Sequence, residues 1–537
     1  MVEFERKLPP GLPNYTHVVS HRPDASVHLA LERRDVPDSE SHLVVTGPWG
    51  GYAGDHYVGF FGTVPVASYR GPAQNQAVDT APVPDRMLGA QWLLNPFAFF
   101  ETALGIADWP RPDVTTLNGR RIVYCHIDGD GIRNESEVRR GALSGEVILE
   151  QILARFSLPT TVSVVVADVE PRLLGSARTH ALARALFEVP HVEAASHTYS
   201  HPLDWETQTR SFDLPGHPYS LETETRGSIR YIDEHLLPAG KRVRVFQWSG
   251  STNVPEAAIA LIDGLGVANI NGGDPMFDGQ WPSYRRVAPL MRQVGRHWQI
   301  YTSAANENLY TNLWTGPFYG FRRVIETFRN TDAPRRVSPI NIYYHFYSGE
   351  RVAALGALQT IHEWVLAQRP APVFTSEYLA MVAGFRTARI ARTGQGWRVW
   401  DHGALRTVRF DGAGADVDMT RSRGVLGFCG HRGSLYVHLD GPGEALIVLS
   451  PRPPDVPRLV SASHRIVGFS RAGGAVTFRL TGVGAKSVEV GGLPAGREVS
   501  VEVTDAAGNR RLLARADRDG VVTVDAGSRD PVTVRLA

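Results

Sequence analysis

Residues 120–132 read RRIVYCHIDGDGI. An apolar run of β-branched and aromatic residues stops abruptly at Asp128 and Asp130, with a glycine after each. A run of this length bounded by turn residues fits a strand buried on both faces. Asp128 and Asp130 are two apart, so an extended backbone points both carboxylates the same way. Taken alone, DGDG reads equally well as a solvated turn. A calcium loop of the EF-hand kind is excluded, because Arg133 and Arg139 stand where its sixth-position Gly and twelfth-position Glu are required.

Downstream, the pattern repeats. TTVSVVVA (160–167), VEAAS (192–196), VRVFQW (243–248), VANI (267–270), WQIYTS (298–303) and INIYYHF (340–346) are further short apolar runs. Amphipathic segments at 145–156, 177–189, 220–237, 254–265, 320–330 and 351–368 fill most of the gaps. Strand–helix units in series predict a parallel sheet, and seven of them favour closure into a distorted (β/α)7 barrel over an open doubly wound sheet. The fold class is therefore α/β, with the barrel at 119–385. Residues 1–118, rich in Pro and Gly, read as a small N-terminal α/β cap or partial domain. Strand-like runs are expected there at 42–47, 56–62 and 64–69, and a helix at 92–106. TGPWGGYAG lacks phosphate-loop spacing and reads as a turn. Residues 386–537 alternate apolar and polar positions between Gly-rich turns, which predicts an all-β sandwich or two small ones, with PRPPDVPRL (451–459) as a hinge.

Composition sets bounds. The chain has 537 residues, 43% hydrophobic, enough for two or three cores. A formal net charge of +1 gives no nucleic-acid or anionic-membrane footprint. No apolar stretch is long enough to span a membrane. The N-terminus, MVEFERKLPPGLPNY, does not read as a signal peptide. Cys125 and Cys429 belong to no metal-ligand spacing and predict no disulfide framework; Cys125 reads as a small buried thiol.

In parallel-strand barrels reactive groups sit at the C-terminal strand ends. Asp128 and Asp130 end the first run, His197 and His201 follow the third, and His345 lies at the end of the seventh. The His197–His201 spacing places both imidazoles on one face of a helical turn. Two imidazoles and a carboxylate suit one divalent ion, Zn²⁺ above others, with a position left open for water. His345 reads either as an acid or as a core histidine. Trp205, Trp248 and Asp274 also follow strand ends; either indole reads as a sugar-pocket wall or as core. His180, His191, His235, His297 and His362 read as plain surface. In the β region, Trp397, Trp400, Tyr436 and His438 read as packing rather than as a carbohydrate platform.

HTYSH (197–201), the Asp-bearing strand end HIDGDG (126–131), ASHTYSHPLDW (195–205) and INIYYHFYSGE (340–350) together resemble the NodB-type polysaccharide deacetylases, most of all the deacetylase part of the Pel exopolysaccharide protein and its relatives. HTYSH matches the family's H-[ST]-x-x-H motif; HIDGDG departs from its adjacent Asp pair by inserting Gly129. The resemblance covers 119–385. It implies a metal-dependent N-deacetylase, with Asp130, His197 and His201 holding the metal, Asp128 as base and His345 as acid. Gly129 leaves an exchange of roles between Asp128 and Asp130 open. The family's Arg partner of the base is not identifiable here. The implied substrate is an N-acetylated polysaccharide, the implied further partner is exopolysaccharide export machinery, and the implied location is periplasmic or extracellular, which the N-terminus does not match. The alternatives are another mononuclear metal hydrolase, a two-metal phosphoesterase, for which too few converging ligands are found, and a polysaccharide-binding or scaffolding protein with a degenerate barrel.

Overall fold

The computed structural model describes the chain except residues 6, 8–15, 55–58, 66–85, 213, 288 and 473–474. It divides into two compact units. One is Met1–Trp109 with Pro275–Val287, the other Pro110–Asp274 with Ala288–Ala537. No described helix is long and apolar enough to cross a membrane.

In the first unit, Ser26–Leu31, Ser41–Gly47 and Gly50–Ala53 form an antiparallel sheet. The TGPWGGYAG stretch is its second turn, closing on the Gly47–Gly50 pair. The expected helix at 92–106 is shorter, Pro96–Leu104, because Asn95 caps its first turn, proline opens it and Gly105 ends it in the left-handed region. Its Phe99 and Ala103 pack on Leu29, Leu43 and Val44. The runs at 56–62 and 64–69 are described only in part: Gly59–Pro65 pairs antiparallel with Arg86–Trp92, and the remainder lies outside the described residues.

The second unit contains a curled, mostly parallel sheet. Its strands are β1 (Arg120–Asp128), β2 (Thr160–Val164), β3 (Val192–Ser196), β4 (Val245–Gln247), β5 (Ala268–Ile270) and β6 (Ile340–His345). Their order is β5-β4-β3-β2-β1-β6, with Ala371–Pro372 added alongside the start of β1. The sixth expected strand is a correction: WQIYTS does not enter this ladder. His297–Ile300 folds back on Met291–Val294 as an antiparallel hairpin. Side chains bridge the gap that it leaves. Asn269 of β5 donates Nδ2 to the Trp298 carbonyl (3.0 Å), and Asn341 of β6 accepts from the Ser303 N–H (3.2 Å). The sheet is therefore a curled half-barrel, not a closed ring of seven.

β1 is buried along its whole length. An Asn118-Gly119 turn with both residues at positive φ feeds it from Thr116–Leu117, the hairpin geometry that Asn-Gly favours. Alternate residues then face the sheet's concave side. Ile122 and Tyr124 pack with Tyr378 of the helix Thr375–Thr387, which has no counterpart among the predicted segments. His126 and Asp128 follow on the same face, so the interior turns from apolar to polar toward the strand end.

Most of the C-terminal region is two facing sheets, beside a small sheet of Arg389–Arg392, Trp397–Trp400 and Ala445–Ile447 and a short pairing of Asp416–Val417 with Leu449–Ser450. Seven strands run in the order 522–527, 486–491, 458–462, 425–431, 434–439, 407–411 and 111–112. Five more, within 465–515 and 532–536, cover one end, with Leu459, Val488, Val490, Phe478, Val501 and Val534 buried between them. The 451–459 stretch is not a hinge between sandwiches, because Arg458–Ala462 pairs parallel with Val425–His431 inside one sheet and the proline-rich segment is the crossover which that pairing requires. Nor does this region stand clear of the curled sheet: Arg111–Pro112 is its edge strand, and Asn118 exchanges hydrogen bonds with Ala462 and His464.

Candidate metal centre

Parallel pairing of β1 with β6 sets His345 beside Asp128 and Tyr343 beside His126, all on the concave face. The Tyr343 and His126 rings stack at 4.2 Å. Beyond Asp128 the chain must pass the end of β2, and a Cβ on Gly129 would lie 2.6 Å from the Val165 nitrogen. Only glycine fits there. The inserted residue is thus what lets Asp130 turn in toward β3 after the strand has ended.

The His197–His201 pair differs from expectation. It lies on no helical turn. Thr198 and His201 adopt φ of 73° and 56°, and for a β-branched threonine that is a strained conformation held by its surroundings. The loop is fixed from two sides. Buried Glu224 accepts from the backbone N–H groups of Tyr199 (3.0 Å) and Ser200 (2.9 Å), while Val166 and Ala167 donate to the carbonyls of Thr198 and Tyr199. Glu224 carries the Ser200 hydroxyl as well.

Asp130, His197 and His201 then meet. His197 Nε2 is 3.1 Å from Asp130 Oδ2, and His201 Nε2 is 3.0 Å from Asp130 Oδ1. Together these form a group in which each residue offers one ligand atom within 4.8 Å of the others. His197 Nδ1 lies 2.9 Å from the Gln247 carbonyl, which can only accept, so Nδ1 carries a proton and Nε2 of the neutral ring presents a lone pair. Asp130 Oδ2 is buried and receives no hydrogen bond. Two lone pairs facing each other at hydrogen-bond distance require a positive charge between them, as a proton or as a cation. Burial opposes charge on His197, yet the Asp128 and Asp130 carboxylates outweigh it and raise the imidazole above its ordinary value. Burial likewise pushes the Asp130 carboxyl up, but His201 and His197 hold it well below the usual range. The donor set fits a single divalent ion.

Asp128 sits beside this group, buried, with Oδ1 3.7 Å from His197 Nδ1. Asn271 Nδ2 reaches both its oxygens (3.1 Å each), and the Tyr343 hydroxyl donates to Oδ2 at 2.6 Å. Its described partners include no arginine. The bonds continue inward: His126 Nε2 meets Asn271 Oδ1 at 3.2 Å, and Asn341 Nδ2 meets His126 Nδ1 at 3.1 Å. Burial holds His126 neutral, at about 4.

His345 Nε2 points to the same place, 3.7 Å from Asp128 Oδ2 and 3.9 Å from Asp130 Oδ2. Its Nδ1 faces buried Glu307 at 3.1 Å, and Glu307 accepts from the His345 N–H (2.7 Å) and the Ser348 hydroxyl (2.8 Å). Burial alone would lower the His345 pKa, but Glu307 first, and then Asp130 and Asp128, raise it to about 9.

Trp205 and Trp248 do not join the site. Both are buried, edge to face at 5.3 Å, with their N–H groups given to the Ser249 carbonyl and Asn269 Oδ1. They are core, and neither offers a face to a sugar. Asp274 is exposed, and close enough to Tyr343 for its charge to raise the phenol further. His362, expected at the surface, is buried, and burial holds it neutral at about 4. Trp397, Tyr436 and His438 are buried packing in the β region. Glu307 had no signal in AANENLY. Tyr343 and Asn341 had one, at two and four residues before His345 on the same strand face; Asn271, just after VANI, had a weaker one.

No family model and no curated protein matches the chain. Among solved structures, a 4-alpha-glucanotransferase from Thermococcus litoralis aligns with 48% of this chain and 38% of its own length, at 13% identity and TM-score 0.32. The chain thus spans well under half of that enzyme. A GH30 endoxylanase from Clostridium papyrosolvens aligns with 80% of this chain and 98% of its own length, at 8% identity and TM-score 0.26. A beta-arabinopyranosidase aligns with 72% of this chain and 52% of its own, at 8% identity and TM-score 0.20. Likenesses this slight carry no argument about the reaction, which rests on the site.

Proposed function

We propose that the chain is a metal-dependent deacetylase of N-acetylhexosamine residues in a polysaccharide, releasing acetate. The observation that carries it is the convergence of Asp130, His197 and His201, with Asp128 and His345 within 4 Å of that group. The NodB-type resemblance of HTYSH and HIDGDG supports amide hydrolysis over other uses of such a centre. A divalent ion held there, zinc by the chemistry of two imidazoles and a carboxylate, lowers the pKa of a coordinated water toward ~7 and polarises a carbonyl.

The chain's own groups do the rest. Asp130 is the carboxylate within reach of both imidazoles, so it is assigned as ligand and Asp128 as base. Asn271 and Tyr343 hold Asp128 as an oriented acceptor for the proton of the attacking water. His345 keeps its proton through neutrality and gives it from Nε2 to the departing sugar nitrogen as the C–N bond breaks. Glu307 fixes that ring through Nδ1 and stabilises its charged form. Acetate release from defined acetylated chito-oligosaccharides, with and without added zinc and after chelation, tests the reading. Acetate should appear only with metal, and equal release from the Asp128→Asn and His197→Ala proteins would sink it.

A further inference from the structure

At the opposite end of the curled sheet, where β1 and β6 begin, lies a cavity of about 780 Å³. β1 is nine residues long, so this cavity is roughly 25 Å from the metal centre at ~3.3 Å per residue. One wall is Arg120, Arg121 and Ile340 with the helical segments around Phe328 and Trp364; the other is the β region at Cys429–Arg432 and Val460–Ser461. Arginines 120, 121, 329, 336, 369 and 432 line it against two carboxylates, Asp332 and Glu489.

Those carboxylates are already engaged. Asp332 takes Arg336 (2.6 Å) and His431 (3.3 Å), and Glu489 takes the Ser461 hydroxyl (2.8 Å). Arg121 gives its donors to carbonyls and a hydroxyl: Ser338, Phe328 and Thr331. Arg120 is different. It is 8% exposed, it spends Nε on Ser461 (3.2 Å) and one terminal nitrogen on Ser487 (2.9 Å), and its other terminal nitrogen is buried with no acceptor. Burial lowers this guanidinium to about 10; Glu489 pulls it back and the neighbouring charge of Arg369 pushes it further down. A buried charged donor left unpaired beside a second cation is costly, and an oxyanion removes that cost.

We propose that this cavity is a binding site for a small oxyanion-bearing ligand, of the phosphoryl or polycarboxylate kind, taken by Arg120 and Arg369. The site joins the base of the curled sheet to the β region, so its ligand ties the two together. It is independent of the metal centre and of the reaction proposed there.

Titration calorimetry of the intact, zinc-loaded chain with inorganic phosphate, at fixed ionic strength, tests this. Malonate is the competing arm that tells the phosphoryl source from the carboxylate one. The wild type should bind one phosphate, and either Arg120→Gln or Arg369→Ala should weaken it about tenfold or more, as loss of a charge-assisted contact does. Arg369 is exposed, so its variant folds even if Arg120→Gln does not. Phosphate should also raise the Tm of the wild type more than that of Arg369→Ala. Malonate displacing phosphate would assign a carboxylate ligand; phosphate held against malonate would assign a phosphoryl one. Binding equal in wild type and Arg369→Ala, or none in the wild type, overturns the proposal.

Discussion

Asp128 is gripped by two neutral donors, Tyr343 and Asn271, and its described partners include no arginine. Replacing its carboxylate should therefore remove proton acceptance while leaving the ligand set whole. For Asp128→Asn we expect kcat to fall ~10²–10⁴-fold with metal content unchanged, read by acetate release alongside elemental analysis. His345 gives the pH dependence. Its pKa is raised to about 9 by Glu307, and the acid must be protonated to act. Activity should thus persist through neutrality and be lost as pH rises through about 9, or somewhat lower with a divalent cation nearby. Glu307→Gln removes the charge that raises the group, so the alkaline limb should move down toward the ordinary histidine value. A limb that stays in place in that variant would show that His345 is not the titrating acid.

At the scale of elements, the site depends on two irregular stretches at regular strand ends. Gly129 is pressed against the backbone at Val164 and Val165, so Gly129→Ala should displace Asp130 and lower metal affinity and turnover together. The loop 197–201 is held in strained geometry by Glu224 from the segment after β3. Glu224→Gln keeps the size of the side chain and weakens its hold on two backbone N–H groups. We expect zinc affinity to fall ~10–100-fold, as measured by competition with a chromophoric chelator, while the far-UV spectrum is retained. Unchanged zinc affinity would mean that the loop keeps its shape without that carboxylate.

At the scale of the whole molecule, the β region packs against the curled sheet and pairs with the segment that precedes it rather than trailing from it. Arg111–Pro112 lies in its seven-stranded sheet, the Thr407 hydroxyl bonds the Thr116 carbonyl, and Leu405 packs in the core with Ile122 and Tyr124. A chain ending at residue 388 leaves these partners exposed. It should be poorly soluble or lack near-UV circular dichroism, and it should be cut by protease where the full chain resists. A cooperatively folding 1–388 fragment that binds zinc would refute this.

The six parallel strands were legible in the sequence because each is a short apolar run between turn residues, and a strand buried on both faces must be written that way. Asp128, Asp130, His197, His201 and His345 were legible because chemistry in such sheets gathers at strand ends. Three things were decided only by tertiary structure. WQIYTS carries a strand-like composition, but its partner was settled by competition between a local hairpin and a distant ladder, with Asn269 and Asn341 supplying the bridge. Trp205 and Trp248 have the composition of either a sugar wall or a core, and only packing made them core. Glu307, Asn271 and Glu224 act on groups far away in the chain, and no local pattern encodes which distant side chain a carboxylate or an amide will meet once the chain has folded.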